Sequence, residues 1–288
     1  MSDKCNSLVI AEADPAEFSV YYVIYGHRHK NVWFPTKMEN VFALMANVKA
    51  HYWVMCQGKK VAGFIRDKNW FGFVFTIPPY DDQMTVIQLI VSLISESNEK
   101  KITVSGVYPD SYHNYQRLGF QIYETERIMI RPTEQFFLIW YDDFEHDIPK
   151  QENLNTLVDL YYRVYRNSPL LCMSDKKRKF YEDLLNKQLP MVEKEYSTVL
   201  YHTHSREIIA SCLVIMWQEL PYIADIVVAE SFRGQGLGTM MIKKVLNNAY
   251  GKYPAVRLAT RAGNRAEGLY YRLGFAGGVE SSTLKTDL

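Results

Sequence analysis

Cysteine is scarce in this sequence, with only four residues in a chain of 288. The four are far apart and none belongs to a CxxC pair, so the sequence suggests neither a zinc site nor a disulfide framework. We expect inert thiols, because free cysteine packs as a small apolar residue, and we predict no metal site. The cysteines are Cys5, Cys56, Cys172 and Cys212.

The sequence also lacks an excess of charge of either sign and any long hydrophobic run. Its 33 basic and 32 acidic side chains leave a formal net charge of +1, which gives no overall field to attract nucleic acid or an anionic membrane. No stretch approaches the roughly 18 consecutive apolar residues of a membrane span, and the apolar stretch after the polar N-terminus is too short for a signal peptide. We therefore predict a cytoplasmic protein with neither nucleic acid nor membrane as a partner.

What the sequence does contain is an internal repeat. Residues 115–120, YQRLGF, recur as residues 270–275, YYRLGF, with five of six positions identical. The shift is close to half the chain length, which indicates two copies of one unit and not a solenoid with repeats of about 20 to 50 residues. The chain is also long enough for two domains of ordinary size. We predict a boundary at Pro132, with domains over residues 1–132 and 133–288.

Both halves show the same order of strands and helices. In the second half, apolar patterns predict strands over residues 197–203, 208–218 and 221–229, then a glycine-rich turn and a helix over 237–250. A strand over 255–260, a helix over 265–273 and a strand from Phe275 follow. In the first half the predicted strands cover residues 51–57, 61–66, 71–77, 102–107 and 121–130, and the helices cover 83–95 and a short segment through Tyr115. The fold class is therefore α/β (α+β).

The glycine-rich turn at residues 233–238, RGQGLG, predicts an anion site. It follows a strand and opens a helix, so backbone N–H groups converge there and the helix N-terminus adds partial positive charge. Arg233 adds a full charge, and Thr239 offers a hydroxyl in the first helical turn. The spacing is neither that of a Walker loop nor that of the dinucleotide fingerprint. The turn therefore indicates a phosphate-bearing ligand of another kind.

A resemblance to a known family rests on three segments: residues 226–228, IVV, the turn at 233–238, and residues 269–275, LYYRLGF. In order and spacing they are similar to the GNAT superfamily of acyl-CoA-dependent N-acyltransferases, strongly over residues 197–279 and faintly in the first half. The resemblance implies two GNAT-like domains, each with a central mixed, mostly antiparallel sheet flanked by helices. It also implies transfer of an acetyl or other short acyl group from acetyl-CoA to a primary amine of a small molecule or peptide.

The resemblance further implies which residues contact the cofactor. The turn would hold the diphosphate, and the free backbone groups of the preceding strand would pair with the pantetheine arm like an added strand. The family often has an asparagine seven residues before its tyrosine, where this chain has Gly263, so Asn264, one position later, is the candidate for that contact. The other expected cofactor contacts are Ile226, Val227, Val228, Arg233, Gly234, Gln235, Gly236, Leu237, Gly238 and Thr239.

Three catalytic roles follow from the same resemblance. Tyr270 holds the position of the family's tyrosine, and a phenol can protonate the leaving thiolate; the alternative is a packing tyrosine, because Tyr115 occupies the same place in the first half. The Val228 N–H would stabilise the developing negative charge. Asp225 is the candidate base, directly or through water, or else a residue that makes a structural hydrogen bond; Glu219 and Glu230 are the less favoured alternatives.

The first half differs where the phosphate turn would stand. It has residues 78–82, PPYDD, in which two prolines remove N–H donors and two carboxylates repel phosphate. We predict a degenerate, non-catalytic GNAT-like domain. Two rival functions stay open for the whole chain: a non-catalytic CoA-sensing or interaction module, because fold does not fix function, and an aminoacyl-transferring tandem relative.

Overall fold

The computed structural model describes residues 7–26, 37–48, 50–96, 101–166 and 177–287. The chain divides into two compact units, one of residues 1–127 with 278–288 and the other of residues 128–277. Each combines a mixed, mostly antiparallel set of strands with flanking helices, which confirms the predicted fold class. No helix in the described ranges is long and apolar enough to cross a membrane.

The elements agree with most of the predicted ranges to within one or two residues. In the first half they are β1 (Leu8–Glu12), α1 (Pro15–Tyr25), α2 (Met38–Ala46), β2 (His51–Cys56), β3 (Lys59–Asp67), β4 (Trp70–Thr76), α3 (Gln83–Ser95), β5 (Lys101–Val107), α4 (Tyr112–Gln116) and β6 (Gln121–Pro132). In the second half they are β7 (Phe144–Asp147), α5 (Leu154–Tyr165), α6 (Arg178–Gln188), β8 (Thr198–His202), β9 (Ile208–Trp217), β10 (Leu220–Val228), α7 (Leu237–Ala249), β11 (Ala255–Arg261), α8 (Ala266–Arg272), β12 (Ala276–Gly277) and β13 (Ser281–Asp287).

The first unit's sheet has the order β1-β2-β3-β4-β5-β13-β6. Strand β4 runs parallel to β5, and the other neighbours whose registers are described are antiparallel. Its core lies on helix α3, where Val86, Ile87, Ile90 and Ile94 are fully buried at helical spacing. The amphipathic pattern of α3 therefore positions it on the sheet as the sequence predicts.

The last strand of the chain belongs to the first unit, and this differs from the expected domain over residues 133–288. Strand β13 lies between β5 and β6 and is antiparallel to both, with Leu284 opposite Val104 and Ile122. Only the short strand β12 pairs within the second unit, with the end of β6. The apolar pattern after Phe275 predicts a strand, but such a pattern does not indicate which neighbouring strand it pairs with.

The second unit's sheet buries both of its faces. Strands β7, β8, β9, β10 and β11 follow one another across the sheet. One face packs on α7, whose Met241, Val245 and Ala249 are fully buried. The other face packs on α5 and α6, and there Val227 is buried. Successive residues of a strand point to opposite faces, so β10 carries side chains into both layers.

The prediction of inert thiols is wrong for one cysteine. Cys56 is disulfide-bonded, and the wide spacing of the cysteines in the sequence gave no signal for it. Cys212 is free and buried on β9, and burial raises the pKa of its thiol to about 12. It is therefore protonated and inert at neutral pH. Cys5 and Cys172 lie outside the described residues.

Candidate active site

The candidate site lies where two parallel strands separate. Strand β10 pairs with β11 at only two positions, Tyr222 with Arg257 and Ile223 with Leu258. Both strands continue, β10 to Val228 and β11 beyond Leu258, and within the described second unit no further pairing joins them. The strands thus open a wedge, and one wall of the wedge is an edge of β10 that no neighbouring strand covers.

A bulge in β10 sets the direction of that edge. The register with β9 shifts between Ile223 and Asp225, and β10 then stays paired with β9 up to Val228. The N–H of Ala229 donates to the carbonyl of Ile209 on β9 at 2.7 Å. Because successive N–H groups of an extended strand point to opposite edges, the N–H of Val228 points into the wedge. This is the direction that stabilisation of a developing negative charge requires.

The glycine turn stands at the mouth of the wedge with left-handed backbone. Gly234 has φ 78° and Gly236 has φ 79°, values that side chains other than glycine adopt only with strain. No atom comes within 4 Å of a β-carbon placed on either glycine, so the space in front of the turn is open. Gly238 differs, because its backbone is not left-handed and a β-carbon there would make an ordinary contact with Leu269 at 3.6 Å.

The start of α7 provides the donors. Gly236 is the N-cap and has no side chain to satisfy the first N–H groups of the helix, which by geometry have no acceptor within the helix. Leu237 is 1% exposed and anchors the turn in the core beneath α7. Arg233 is exposed and its Nε donates to the Val228 carbonyl at 3.2 Å. A guanidinium and a set of free amides therefore converge, which suits a diphosphate.

One strand of the wedge, β11, carries a buried hydroxyl without a partner. Thr260 lies on β11 beyond the last pair with β10, is 5% exposed, and its Oγ1 has no hydrogen-bond partner in the described part of the chain. A buried polar atom without a partner costs about 1 to 3 kcal/mol, which makes Thr260 a candidate contact for a bound ligand. The sequence analysis missed Thr260, because a threonine in a strand gives no signal of its own.

Asp225 sits just after the bulge and is partly buried. Its Oδ1 accepts a hydrogen bond from the Tyr165 hydroxyl at 3.0 Å, and it also accepts one from the Ile226 N–H. Burial raises the pKa of its carboxyl to about 6, and the two hydrogen bonds partly offset that rise. A carboxylate with a pKa this close to neutrality can accept a proton and release it again.

Tyr270 lies on α8 and is 5% exposed. Burial, and next the charge of Asp225, raise the pKa of its phenol far above the ordinary value, so the hydroxyl stays protonated. Its ring packs edge-on against Phe275 at 6.1 Å. The first unit repeats that packing, with Tyr115 edge-on to Phe120 at 5.8 Å, so packing alone accounts for the ring and the electrostatic link to Asp225 distinguishes Tyr270.

The remaining expected contacts divide into two groups. Gln235 is exposed in the turn and Thr239 is half-buried in the first turn of α7, so both are at the mouth of the wedge. Asn264 is used differently, because its Oδ1 accepts the N–H of Ala266 at 3.0 Å at the start of α8. Its contact with a pantetheine arm stays a prediction. In the described ranges, no group of three or more His, Cys, Asp or Glu could hold a metal ion.

Tyr165 is a further residue of this site that the sequence analysis missed. It is the last residue of α5, a helix in which the sequence analysis identified no site residue. A signal was present: Tyr161 and Tyr165 are one helical turn apart, so both face the sheet. Their hydroxyls reach Ser211 at 3.1 Å and Asp225 at 3.0 Å.

The comparisons with known proteins agree with this geometry. The profile described as the "Acetyltransferase (GNAT) family" matches residues 155–275, which contain the wedge, the glycine turn and Tyr270. These residues form a GNAT-family domain. No curated protein matches the chain significantly.

The fold of tandem GNAT proteins extends over the whole chain. A GCN5-related N-acetyltransferase from Sphaerobacter thermophilus is 14% identical, with 97% of this chain and 95% of that chain covered and a TM-score of 0.72. A tandem GNAT protein from the clavulanic acid biosynthesis pathway, solved without AcCoA, is 10% identical, with 98% of each chain covered and a TM-score of 0.66. A GNAT acetyltransferase from Colwellia psychrerythraea is 15% identical, with 97% and 100% covered and a TM-score of 0.52. At these identities the likeness shows the fold.

Proposed function

We propose that the GNAT domain of this chain transfers an acetyl or other short acyl group from acyl-CoA to a primary amine. The observation that carries the proposal is the position of the anion cradle. The left-handed glycines, Arg233 and the uncapped start of α7 stand at the open end of a strand edge that has no partner. A ligand with a diphosphate at one end and a chain of amides behind it matches both features.

The binding roles follow from the geometry of the site. The N–H groups at the start of α7 and the guanidinium of Arg233 would hold the diphosphate. The edge of β10 at residues 226–228, which no strand covers, would pair with the amides of the pantetheine arm, as an added strand pairs with a sheet edge. The Arg233 side chain would then leave the Val228 carbonyl for the diphosphate. The hydroxyl of Thr260 would meet a polar atom of the same arm. Bound acetyl-CoA supplies an acyl group activated as a thioester.

The chemical roles need one base, one acid and one backbone donor. The carboxylate of Asp225 would take a proton from the substrate ammonium and free its nitrogen to form the new C–N bond. The N–H of Val228 would stabilise the charge that develops on the acyl oxygen. As the C–S bond breaks, the phenol of Tyr270 would give its proton to the sulfur. The phenolate would be reprotonated by the second proton that the nitrogen loses on becoming an amide, and Asp225 would release the first proton to solvent.

For the first unit we propose a structural role without catalysis. Its helix α3 is capped by Asp82, whose carboxylate accepts the Thr85 N–H at 3.0 Å, so a side chain of the protein occupies the place that an anionic ligand would take. The cleft between β4 and β5 is lined by Tyr22, Phe73 and Tyr108 among others and has a volume of about 110 Å³. The carboxylate at the helix end opposes a phosphate and therefore CoA.

Calorimetric titration tests the binding part of the proposal. We expect acetyl-CoA to bind once per chain, S-acetylpantetheine to bind much more weakly because it lacks the diphosphate, and Arg233→Ala to weaken acetyl-CoA about tenfold with little effect on S-acetylpantetheine. Arg206→Ala, which removes an exposed arginine paired with Glu145, is the matched control. No acetyl-CoA binding at high micromolar concentration would overturn the proposal, and two bound molecules per chain would overturn the role given to the first unit.

Release of free thiol from acetyl-CoA in the presence of primary amines tests the catalytic part. We expect turnover with at least one member of a panel of small amines, peptides and amino sugars. Tight binding without turnover across the panel would favour the CoA-sensing module. Absence of binding together with transfer from an aminoacyl donor would favour the aminoacyl-transferring relative.

A further inference from the structure

Helix α5 presents a pair of tyrosine hydroxyls to the sheet beneath the GNAT site. Tyr161 and Tyr165 lie one turn apart, and their rings contact each other edge-on at 6.0 Å. The Tyr161 hydroxyl bonds to Ser211 on β9 at 3.1 Å. The Tyr165 hydroxyl bonds to Asp225 on β10 at 3.0 Å. One hydroxyl therefore reaches a neutral group and the other reaches the carboxylate of the site.

The ring of Tyr165 is held in place independently of its hydroxyl. It stacks on Tyr181 of α6, with centroids 5.9 Å apart and an interplanar angle of 17°. Tyr181 is itself 2% exposed. A side chain fixed by two neighbouring rings loses little rotamer freedom when it forms its hydrogen bond, so the bond orients its acceptor effectively.

We propose that Tyr165 is a positioning residue, which fixes the orientation of Asp225 after the β10 bulge and keeps its carboxylate ready to accept the substrate's proton. This inference rests on the proposed function, because that function makes Asp225 the base. The hydrogen bond between Tyr165 and Asp225 does not depend on the proposed function. The donated hydrogen bond stabilises the ionised carboxylate against the burial that favours its protonated form. Without it, Asp225 would carry a proton over more of the neutral range and could turn to another rotamer.

The groups that face Asp225 come from four elements. Helix α5 contributes Tyr161 and Tyr165, strand β9 contributes Cys212, helix α8 contributes Tyr270, and β10 itself contributes the Ile226 N–H. The pKa values of the three phenols and the thiol are all raised by burial, so these groups stay neutral while Asp225 titrates. Any titration near pH 6 in this cluster therefore belongs to Asp225.

Carbon-13 NMR of protein labelled at the aspartate carboxyl carbon tests the contact without any activity. Asp225→Asn identifies the Asp225 signal by its loss. In Tyr165→Phe, which keeps both ring contacts, we expect the pKa of Asp225 to rise by about one pH unit, because a hydrogen bond to a charged group is lost. Tyr161→Phe, the matched control, removes a hydroxyl one turn away that serves Ser211, and the Asp225 titration should stay in place. An Asp225 pKa that is equal in Tyr165→Phe and wild type would overturn the proposal.

The pH dependence of kcat/KM separates this inference from the proposed function. We expect the acid limb of the profile to move to higher pH in Tyr165→Phe by the amount that NMR gives, with the limb unchanged in Tyr161→Phe. If Tyr165→Phe shifts the pKa of Asp225 in the NMR titration but leaves the acid limb of kcat/KM unchanged, the hydrogen bond exists but Asp225 is not the base. That result would overturn the positioning role of Tyr165. If both move together, Tyr165 acts on catalysis through Asp225.

Discussion

Replacing Asp225 with asparagine should make the protein more stable at neutral pH while removing the base. The folded protein holds the pKa of Asp225 at about 6, against 3.8 for an unperturbed aspartate. The carboxyl is therefore easier to protonate in the folded chain than in the unfolded one. Its contribution to stability is complete below about pH 4 and is lost as the pH rises through 6.

The size of the effect follows from the same two values. A difference of roughly two pH units corresponds to about 3 kcal/mol, at 1.36 kcal/mol per unit. Asparagine keeps an oxygen that can accept from Tyr165 but has no charge to bury. The difference in unfolding free energy between Asp225→Asn and wild type should therefore grow by about 3 kcal/mol, in favour of the variant, between pH 4 and pH 8. Comparing two pH values cancels any change in packing.

Urea unfolding across that pH range measures the difference directly. The control is Asp183→Asn, which changes an exposed carboxylate of α6 that pairs with Lys179. The difference in unfolding free energy between this variant and wild type should change little between pH 4 and pH 8. A variant that loses activity and shows the expected gain would be a case of stability given up for a functional group. If the difference in unfolding free energy between Asp225→Asn and wild type is the same at pH 4 and pH 8, the claim that burial raises the pKa of Asp225 is refuted.

Three further predictions concern other groups of the two units. Tyr270→Phe should lower kcat about 100-fold or more and change the dissociation constant of acetyl-CoA less than about twofold, because only proton donation is lost; equal kcat in steady-state kinetics would remove the acid role. Thr260→Val should raise the unfolding free energy by about 1 kcal/mol, because it removes a buried hydroxyl without a protein partner, and should weaken acetyl-CoA binding in calorimetry; unchanged binding would show that the ligand does not use the hydroxyl. Asp82→Ala should cost about 1 kcal/mol of stability in urea unfolding through loss of an N-cap, and calorimetry should still find one acetyl-CoA per chain.

The sequence predicts a helix or strand well where its apolar pattern repeats over many residues. It predicts poorly where contacts with distant segments of the chain decide the structure. The helix over residues 237–250 was predicted from its apolar stripe and forms over Leu237–Ala249. Strand β13 was predicted as a closing strand, yet its place between β5 and β6 depends on hydrogen bonds to segments more than 150 residues away. Helices α1 and α2 were not predicted. The apolar residues of α1 do not form a clear stripe, and both helices pack on the first unit's sheet, which stabilises them.

At the site, the sequence predicts the backbone conformation of the turn, but it does not predict which side chains bond to each other. Glycines at alternate positions between a strand and a helix indicate the left-handed turn, because few other residues take that conformation. The bond between Tyr165 and Asp225 joins residues 60 positions apart, and only the packing of α5 on the sheet creates it. The orphan hydroxyl of Thr260 is visible only once its surroundings are known.

Comparing the two units distinguishes the features of the shared fold from those of the glycine turn at residues 233–238. In both, a parallel strand pair opens after a short stretch of pairing, from Trp70 to Gly72 on β4 and over Tyr222 and Ile223 on β10. The open strand edge is therefore a property of the shared topology and cannot by itself select CoA. The helices that follow begin differently, because the N-cap of α3 is Asp82, with a carboxylate, and the N-cap of α7 is Gly236, with no side chain. The Asp82 carboxylate takes one N–H group of α3 and places a negative charge where a phosphate would bind, whereas the start of α7 keeps its N–H groups free. We therefore expect the turn and its cap, and not the shared strand edge, to decide which unit binds CoA.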